Sequence, residues 1–597
     1  MTKTPEAGRT GTRTGLLLLV LLCVGAAVYS NSLGGLFLFD DFMNIVDNPS
    51  IRQLWPPWQA LAGSWGNGIS GRPLANFSFA VNYAIGGLDS RSYHLFNLIF
   101  HLLAGALLFG IALRALASPK LRERYSGSRN LIAFFIALLW LCHPLQTQAV
   151  TYVTERIESM MSCFLLACLY FAIRGWEGKR KSLWHLSAVA AFFAGAGVKE
   201  VIIVAPLLVL LYDVIFEEQQ PAEALKSSPV LYLGLAAGVV FLIALVLRGG
   251  TAYMAYSGAQ NLYEGPPRTW YQYFMNQPHA ITTYMKLAVW PRSLLINYEW
   301  SEVPLPFTFV AGAVLISLLA YTLWLIWKKR PGGFVGAWFF LILAPSSSIM
   351  PLWCDIEEHR MYLPLAAPVA LFTLAAFRAS AALSAKHSMI AFTAFMAVVC
   401  ALMGGLTYQR NFDYADGVAI WKDAVAKRPQ SASAQLHLGV AYMRLGRYPE
   451  ALAYFRSLDR DNVANPAVFN SPGVALTIMG NKEEAEAEFR EAIAHFPRFT
   501  PAYGNLGILL MERGRNEEAV QYLTEAVRLS PRESKYRYYL AKALAASGRL
   551  EDAVREYEQV LGTPGADPAW RRDLEEVRAK MQGGAPGTEG EPGVQGK

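Results

Sequence analysis

Residues 16–28, LLLLVLLCVGAAV, form an uncharged apolar run directly behind a basic segment that carries Lys3, Arg9 and Arg13. Runs of roughly 15 to 22 such residues return up to Leu406, and this is about the length of helix that crosses a bilayer. The chain of 597 residues is 53% hydrophobic and only 17% charged, which predicts a membrane protein. Its net charge of +7 is small, which excludes a nucleic-acid enzyme that depends on net charge.

Twelve apolar segments are candidate spans: 16–28, 95–116, 131–145, 160–174, 183–198, 201–216, 230–247, 271–290, 307–327, 334–350, 362–378 and 389–406. Lys and Arg in short loops stay cytoplasmic, and the cluster Lys328–Arg330 obeys this rule only if 271–290 does not cross. That segment also carries Asn276, Gln277 and Lys286, so we expect it to be interfacial. We predict eleven crossings, a cytoplasmic N-terminus at 1–14, and a membrane domain at 15–410 whose first run is a signal anchor.

A 34-residue period begins after the last apolar run. Small residues recur at Gly439, Gly473, Gly507 and Ala541, turn glycines at Gly446, Gly480, Gly514 and Gly548, and large residues at Phe455, Phe489, Leu523 and Tyr557. This pattern resembles the tetratricopeptide repeat, in which paired helices stack into a solenoid. We predict the solenoid at 411–580, a half repeat marked by Trp421, a kink at Pro472, and a disordered Gly- and Pro-rich tail at 581–597.

The acidic motif Phe39-Asp40-Asp41 follows the first apolar run. Neighbouring carboxylates at a membrane boundary suit acid–base chemistry or cation binding, because each charge raises the pKa of the other group. A solvated loop or a helix cap is the alternative for this dipeptide. Further polar motifs lie in loops of the same predicted side: Gly71-Arg72-Pro73-Leu74, His143-Pro144, Arg156 with Glu158, Lys199-Glu200, and Glu358-His359-Arg360-Met361-Tyr362.

Together and in this order, these motifs resemble the transmembrane and tetratricopeptide-repeat-containing O-mannosyltransferases and their bacterial relatives. The resemblance covers nearly the whole chain and implies an all-α fold: a polytopic C-type glycosyltransferase-like membrane domain followed by a tetratricopeptide repeat α-solenoid. The family pattern His-Pro-x-His-Thr-Glu-Ala-Val has Gln146 and Gln148 here in place of the second His and the Glu. This leaves His143 as the candidate in that loop.

By this resemblance Asp40 and Asp41 occupy the catalytic position, with Asp40 favoured as the base. Such enzymes move a sugar from a polyprenyl-phosphate carrier to an acceptor, typically with inversion. Arg360 and Lys199 are expected to hold the carrier phosphate. The full set of expected substrate-binding residues is Arg72, His143, Arg156, Glu158, Lys199, Glu200, Glu358, Arg360 and Tyr362. The resemblance leaves the cofactor open, with a divalent cation at the acidic pair as the candidate, because the superfold contains metal-using and metal-free members.

Structural alternatives remain open for several of these residues. Lys199 can pair with Glu200, and Glu358 with Arg360. His94 and His101 are expected to pack against neighbours or lie at the interface, because no third metal ligand accompanies them. The sequence implies no disulfide framework, although Cys142 and Cys354 both lie near the outer face.

These observations favour a membrane glycosyltransferase that uses a polyprenyl-phosphate-linked sugar and a protein or peptide acceptor recruited by the repeat groove. A repeat scaffold without catalysis and a transporter of lipid-linked sugar are the alternatives. The compact loops favour a bacterial inner membrane with periplasmic repeats, and an endoplasmic reticulum membrane with luminal repeats is the other possibility. The partners expected are membrane lipid, the carrier and the acceptor, but no nucleic acid.

Overall fold

A computed structural model describes residues 5–63, 69–264, 269–298, 303–347, 352, 354–382, 385–458, 465–531, 533–562 and 567–582. This part of the chain contains helices and connecting turns and has no β-strand, so the predicted all-α class is confirmed. The contacts divide the chain into two units. One comprises Met1–Tyr256 and Arg268–Pro429, and the other comprises Ser257–Pro267 and Gln430–Lys597. The predicted tail after residue 582 lies outside the described residues.

Each of the twelve apolar segments overlaps a helix of the first unit. The helices are Pro5–Val28, Ser90–Ala117, Arg129–Leu141, Arg156–Glu177, Lys181–Ala196, Ala205–Phe216, Pro229–Glu264, Trp270–Val289, Leu305–Trp327, Pro331–Leu343, Ala366–Ser380 and Ala385–Asp413. Within the described residues, five helical stretches are long and apolar enough to cross a membrane: Ser90–Ala117, Arg156–Glu177, Pro229–Leu247, Leu305–Trp327 and His387–Asp413. Arg129–Leu141 and Pro144–Thr151 pass the same test only as a pair, bent by 53°, which is the geometry of a broken span or of a re-entrant loop. The count of eleven crossings stays a prediction.

The pattern of exposure in these helices is that of a protein in lipid. Ile132–Leu141 is buried on every side and forms the centre of the helical unit. By contrast, large apolar side chains face outward on the peripheral helices, where Leu233 is 71%, Phe309 66% and Trp327 73% exposed. So many exposed apolar side chains would aggregate in water, whereas they match the hydrocarbon of a bilayer. The chain is a multi-pass membrane protein.

The segments that connect the long helices contain short helices and turns. They are the helices Pro57–Ala62, Pro73–Gly86, Arg122–Tyr125, Thr147–Thr151, Pro221–Ser227 and Gly417–Lys427, the 3-10 turns Ser30–Gly34, Pro49–Ile51, Pro144–Gln146, Glu200–Val204 and Glu358–Met361, and the π turn Phe42–Val46. Five loop segments meet around the acidic pair: the one that contains the pair itself, the one before Pro73–Gly86, the turn at 152–155, and the turns near Lys199 and Glu358.

The second unit is a stack of paired helices, as the 34-residue period predicts. Its helices are Ala432–Arg444, Tyr448–Arg456, Ala467–Ile478, Lys482–His495, Thr500–Glu512, Asn516–Leu529, Ser534–Ala546, Leu550–Leu561 and Pro568–Met581. The turn glycines adopt φ values from +72° to +85°, a region that favours glycine. A Cβ atom on Gly439 would lie 2.3 Å from Phe455 Cε1, and one on Gly507 would lie 2.5 Å from Leu523 Cγ. The small residues are therefore required where paired helices touch.

The helix Ala467–Ile478 contains Pro472 and continues on both sides of it. The contact pattern assigns Gly417–Lys427 to the first unit, although this helix lies beyond the last apolar run.

Candidate active site

The acidic pair lies in the loop after the first helix, and its two carboxyl groups have different surroundings. Asp41 is fully buried. Its Oδ1 accepts hydrogen bonds from the backbone N–H (2.7 Å) and the hydroxyl (2.5 Å) of Thr154, and its Oδ2 accepts one from the N–H of Leu38 (2.8 Å). Burial raises the pKa of Asp41 to about 7, although these three donors lower it. The protein thus holds Asp41 in a fixed position.

Asp40 is partly exposed. Its backbone N–H donates to the hydroxyl of Tyr152 (2.8 Å), a buried residue on the neighbouring turn. Burial raises the pKa of the Tyr152 hydroxyl well above its usual value, and the charges of Asp40 and Asp41 act in the same direction. Of the two aspartates, Asp40 is therefore the one that solvent and a substrate can reach.

A divalent cation at the acidic pair does not fit these surroundings. Three donors already occupy the carboxylate oxygens of Asp41, and a cation would have to displace them. Across the described residues, no group of three or more His, Cys, Asp or Glu side chains is arranged to hold a metal ion. The hypothesis of a cation at this pair is not supported by the donor set.

Lys199 reaches the same region from the turn after the helix Lys181–Ala196. Its Nζ lies 2.6 Å from Oε2 of Glu158, and both side chains are largely buried. Burial lowers the pKa of Lys199, but the carboxylates of Glu158 and Glu155 outweigh this effect, so the pKa is raised and the amine stays charged. The pairing of Lys199 with Glu200 that the sequence left open is therefore wrong.

Arg72 and Glu200 form a second and looser pair. Arg72 precedes the helix Pro73–Gly86, whose first turn is tied to the Lys199 turn by a bond from the N–H of Leu74 to the carbonyl of Gly197 (2.9 Å). Arg72 Nη2 lies 3.5 Å from Glu200 Oε2, and the two side chains are 25% and 49% exposed. A charge-assisted bond is normally about 2.7 to 2.9 Å long, so this pair opens more easily than Lys199–Glu158.

Arg360 is buried and bound by the protein on several sides. It pairs with the carboxylate of Glu357 and donates to the carbonyls of Cys354 (2.9 Å) and Asp355 (3.2 Å) and to the hydroxyl of Tyr273 (3.3 Å). The pairing of Arg360 with Glu358 is therefore wrong, because the partner is the preceding glutamate. Arg360 closes the loop on itself and orients Glu357.

His359 lies between two carboxylates, Glu155 and Glu357. Its Nδ1 is 3.4 Å from Glu155 and its Nε2 is 3.6 Å from Glu357. Burial lowers the pKa of His359 to about 3 and raises that of Glu155 to about 8, where the charges of Glu357, Glu158 and Asp40 also act on Glu155. Glu155 is thus the group that connects Asp40 electrostatically with the Lys199 pair and the Glu357 loop.

Two of the expected substrate-binding residues, Arg156 and Glu358, are held deep within the protein. The Arg156 guanidinium donates to the side chains of Asn97 (2.7 Å) and Asn82 (2.5 Å) and packs over the Phe79 ring at 4.6 Å. Glu358 Oε1 accepts bonds from the N–H of Leu295 (2.6 Å) and the hydroxyl of Tyr298 (2.8 Å). Both residues connect loops and helices behind the exposed part of the site.

His143 and Tyr362 are also buried. His143 Nδ1 accepts a bond from the N–H of Leu145 (3.2 Å), so the imidazole caps the turn Pro144–Gln146. The Tyr362 hydroxyl lies 2.7 Å from His101 Nδ1, and its carbonyl accepts a bond from the indole of Trp140 (2.8 Å). These contacts position the bent helix pair and the Glu358–Met361 turn against each other.

The remaining expectations concern histidines and cysteines. His94 and His101 contact backbone carbonyls, of Gly35 at 3.0 Å and Leu141 at 3.1 Å respectively, so both are packed residues as expected. All six cysteines are free thiols, and Cys142 is buried while Cys354 is partly exposed.

Sequence reasoning assigned no role to Tyr152, Thr154, Glu155, Glu357 and His359, although His359 lies within one of the quoted motifs. The first three occupy one turn directly before Arg156, and the last two flank Glu358, so proximity to selected residues was an available signal. Their importance nevertheless depends on long-range contacts. Thr154 is 113 residues from Asp41, and no periodicity connects the two.

Comparison with known proteins agrees with this organisation. The tetratricopeptide repeat family matches residues 402–465, 479–534 and 505–569. A protein O-mannosyl-transferase of Drosophila melanogaster is 25% identical over 533 residues, which cover 76% of this chain and 56% of the relative. Similar proteins with the same descriptive name occur in Caenorhabditis elegans (32% identical, 27% of this chain and 23% of the relative) and Homo sapiens (31%, 29% and 19%). The chain spans about half the length, or less, of these relatives.

Among solved structures, ArnT of Cupriavidus metallidurans aligns with 86% of this chain and 80% of its own, at 15% identity and a TM-score of 0.36. A thermophilic tetratricopeptide repeat protein of Thermus thermophilus aligns with 28% of this chain and 91% of its own, at 22% identity and a TM-score of 0.25. The chain thus carries tetratricopeptide repeats and is similar, over 76% of its length and at 25% identity, to a protein named protein O-mannosyl-transferase.

Proposed function

We propose that this protein is a membrane glycosyltransferase that moves a sugar from a polyprenyl-phosphate carrier to a hydroxyl group of a protein acceptor. The observation that carries the proposal is the division of the acidic pair. Asp41 is buried and held by three donors, whereas Asp40 is partly exposed beside a cluster that contains Lys199 and Arg72. The relatives named protein O-mannosyl-transferases support the same reaction class.

In this proposal Asp40 is the general base. Its carboxylate accepts the proton of the acceptor hydroxyl as that oxygen attacks the anomeric carbon of the sugar, while the bond from that carbon to the phosphate oxygen breaks. The products are the glycosylated acceptor and the polyprenyl phosphate, and attack opposite the leaving group inverts the anomeric centre. Asp41 acts through the loop backbone, because its hydrogen bonds fix the residues on both sides of Asp40.

Arg72 and Lys199 are the cations we assign to the carrier phosphate. Arg72 is a quarter exposed and its bond to Glu200 is long, so a phosphate can displace that carboxylate and form a bidentate contact. Lys199 contributes a positive charge whose position is set by Glu158. We assign no phosphate role to Arg360, since both of its terminal nitrogens already contact groups of its own loop and the hydroxyl of Tyr273.

The buried candidates keep supporting roles in this proposal. Arg156, His143, Glu358 and Tyr362 hold the loops that present Asp40, Arg72 and Lys199. Their substitution should damage folding before it damages substrate binding, because each leaves buried polar partners without a hydrogen bond.

We also propose that the repeats recruit the acceptor outside the cytoplasm, and that the protein belongs to a bacterial inner membrane with periplasmic repeats. The positive-inside rule supports this orientation, since the basic clusters at 120–129, 179–181 and 328–330 then face the cytoplasm. An alkaline phosphatase fusion at Ala585 should be active. An inactive fusion there, with an active cytoplasmic reporter, would contradict the orientation.

The reaction is tested with the full chain reconstituted in nanodiscs, polyprenyl-phosphate mannose carrying a radioactive sugar, and a library of Ser- and Thr-containing peptides. Asp40→Asn should lower transfer by about 100- to 10,000-fold, the usual contribution of a general base. Asp47→Asn is the matched control, because Asp47 is exposed in the same loop. A repeat scaffold would show no transfer in any variant, and a transporter would move the labelled lipid between leaflets without glycosylating peptide.

A further inference from the structure

The helix Gly417–Lys427 carries a residue whose contact departs from the repeat pattern. Trp421 lies 34 residues before Phe455, at the position where later repeats place Phe489, Leu523 and Tyr557. In those repeats the large side chain fills the space beside a small residue 16 positions earlier, as Phe455 does at Gly439. The same arrangement would place Trp421 against Gly405.

Trp421 does not make that contact. Among the described residues, no atom lies within 4 Å of the Cβ position of Gly405, which is exposed on its helix. Trp421 is nevertheless 4% exposed, and its ring instead meets the ring of Phe39 edge to face, with centroids 5.9 Å apart and planes at 71°. The residue directly before the acidic pair thus takes the place of the repeat's own partner.

Phe39 has an unusual backbone conformation. Its φ is +35°, in the left-handed region that side chains other than glycine rarely adopt, so the surrounding structure must hold it there. This conformation folds the chain back on itself: the N–H of Asp41 donates to the carbonyl of Leu38 (2.7 Å), while the Asp41 carboxylate accepts the N–H of Leu38. The turn at Phe39 is therefore what directs Asp41 inward and leaves Asp40 partly exposed.

The same loop is fixed at a second point by the segment that leads into this helix. The N–H of Leu36 donates to the carbonyl of Ala415 (3.1 Å), and Asn411 donates to the side chain of Asn31 (2.9 Å) and to the carbonyl of Val28 (3.1 Å). Three points along 28–36 are thus attached to 411–415, and Phe39 is attached to Trp421. The acidic loop and the helix after the last apolar run form one packed assembly.

We propose that Trp421 is a positioning residue for the transfer reaction: by packing on Phe39 it stabilises the strained turn that separates the roles of Asp40 and Asp41. The proposal rests on the proposed glycosyltransferase function for its catalytic consequence. Its structural part, the stability of the acidic loop, does not depend on that function. Trp421 occupies the large-residue position of the repeat pattern, but in this first half repeat it packs on Phe39 of the candidate active site.

The test is a cycle of substitutions in the full chain in nanodiscs, with polyprenyl-phosphate mannose as donor. Trp421→Ala should lower kcat by about 10- to 100-fold, because a displacement of about 1 Å at reacting groups costs about 100-fold, and the KM for the donor should change little. Trp421→Phe keeps an aromatic edge and should retain most of the activity. Trp184→Ala is the matched control, since that ring packs near Phe171 and Arg174.

The Phe39→Gly variant distinguishes a positioning role of Trp421 from a general loss of folding. Glycine adopts the left-handed turn without support, so Phe39→Gly with Trp421→Ala should be no less active than Phe39→Gly alone. If the two losses multiply, or if Trp421→Ala matches the wild type, the proposal is overturned. Hydrogen–deuterium exchange gives a readout that needs no activity: Trp421→Ala should speed exchange of the amides in residues 36–46, whereas Trp184→Ala should not.

The two proposals fail in different ways. If the wild-type chain transfers no sugar, the glycosyltransferase proposal is refuted, and the exchange experiment still decides whether Trp421 stabilises the loop. An active wild type whose residues 36–46 exchange equally in Trp421→Ala would refute the positioning role and leave the glycosyltransferase proposal intact.

Discussion

Replacing Thr154 by Val tests whether Asp41 titrates in the folded protein. Valine keeps the shape of the side chain and removes the hydroxyl that donates to Asp41 Oδ1 at 2.5 Å, while the backbone N–H of residue 154 still donates. Burial raises the pKa of Asp41 to about 7, so the carboxyl group is mostly protonated at pH 5.5 and ionised at pH 8.5.

The two protonation states give different magnitudes. A hydrogen bond to a neutral group contributes about 0.5 to 1.5 kcal/mol and one to a charged group about 1.5 to 3 kcal/mol. Thr154→Val should therefore lower the free energy of unfolding by about 1 kcal/mol at pH 5.5 and by about 2 kcal/mol at pH 8.5. The cost is larger at pH 8.5 because the substitution removes a donor that stabilises the ionised carboxylate.

The assay is equilibrium unfolding of the full chain in mixed SDS micelles at both pH values. Thr407→Val is the matched control, because Thr407 is also buried and donates to the backbone carbonyl of Cys142 (2.7 Å), which does not titrate. Its cost should be the same at both pH values. An equal cost of Thr154→Val at pH 5.5 and 8.5 would show that Asp41 does not change protonation in this range.

Three further outcomes follow from the same contacts. Burial raises the pKa of Glu155 to about 8, so the protonated group stabilises the folded protein and this stabilisation should be lost as pH rises from about 4.5 through 8. The Glu155→Gln variant should not show this loss and should be more stable than the wild type at pH 9, as measured by unfolding at pH 6 and 9. Lys199→Met should cost about 3 to 5 kcal/mol by leaving Glu158 buried without its partner, and a double variant with Glu158→Gln should recover part of the loss; a purely additive double variant would argue against the pair. Phe489→Ala should destabilise the repeats by about 3 to 5 kcal/mol in thermal unfolding, whereas Arg456→Ala, whose partner is an exposed glutamate, should leave them unchanged; equal effects would refute the packing role of Phe489.

The sequence located the parts of the candidate site better than it assigned their partners. The polar motifs and the family resemblance point to Asp40, Arg72 and Lys199, and the structure brings their loops together. The pairs proposed from chain neighbours, Lys199 with Glu200 and Glu358 with Arg360, were wrong. Adjacent side chains in a turn point in different directions. Lys199 therefore pairs with Glu158 on another segment, and Arg360 pairs with Glu357, the residue before Glu358.

The role of Arg360 shows the same limit for a single side chain. An arginine in an outer loop suggests a phosphate contact, because its chemistry suits one. Whether its donors are available depends on the acceptors folded around it, and these already contact both terminal nitrogens of Arg360. Arg72 has the same chemistry and a looser partner, which no local pattern revealed.

By itself, the sequence determined what depends on local order: the apolar segments that became helices, the 34-residue period that became a helical stack, and the place of the acidic pair after the first helix. Only the tertiary structure decided that Asp41 turns inward to Thr154, that Lys199 joins Glu158, and that Trp421 meets Phe39. The physical reason is range. Hydrophobic periodicity follows from neighbours along one helix, whereas burial, ion pairing and ring contacts arise between segments separated by tens to hundreds of residues, where packing alone selects the partner.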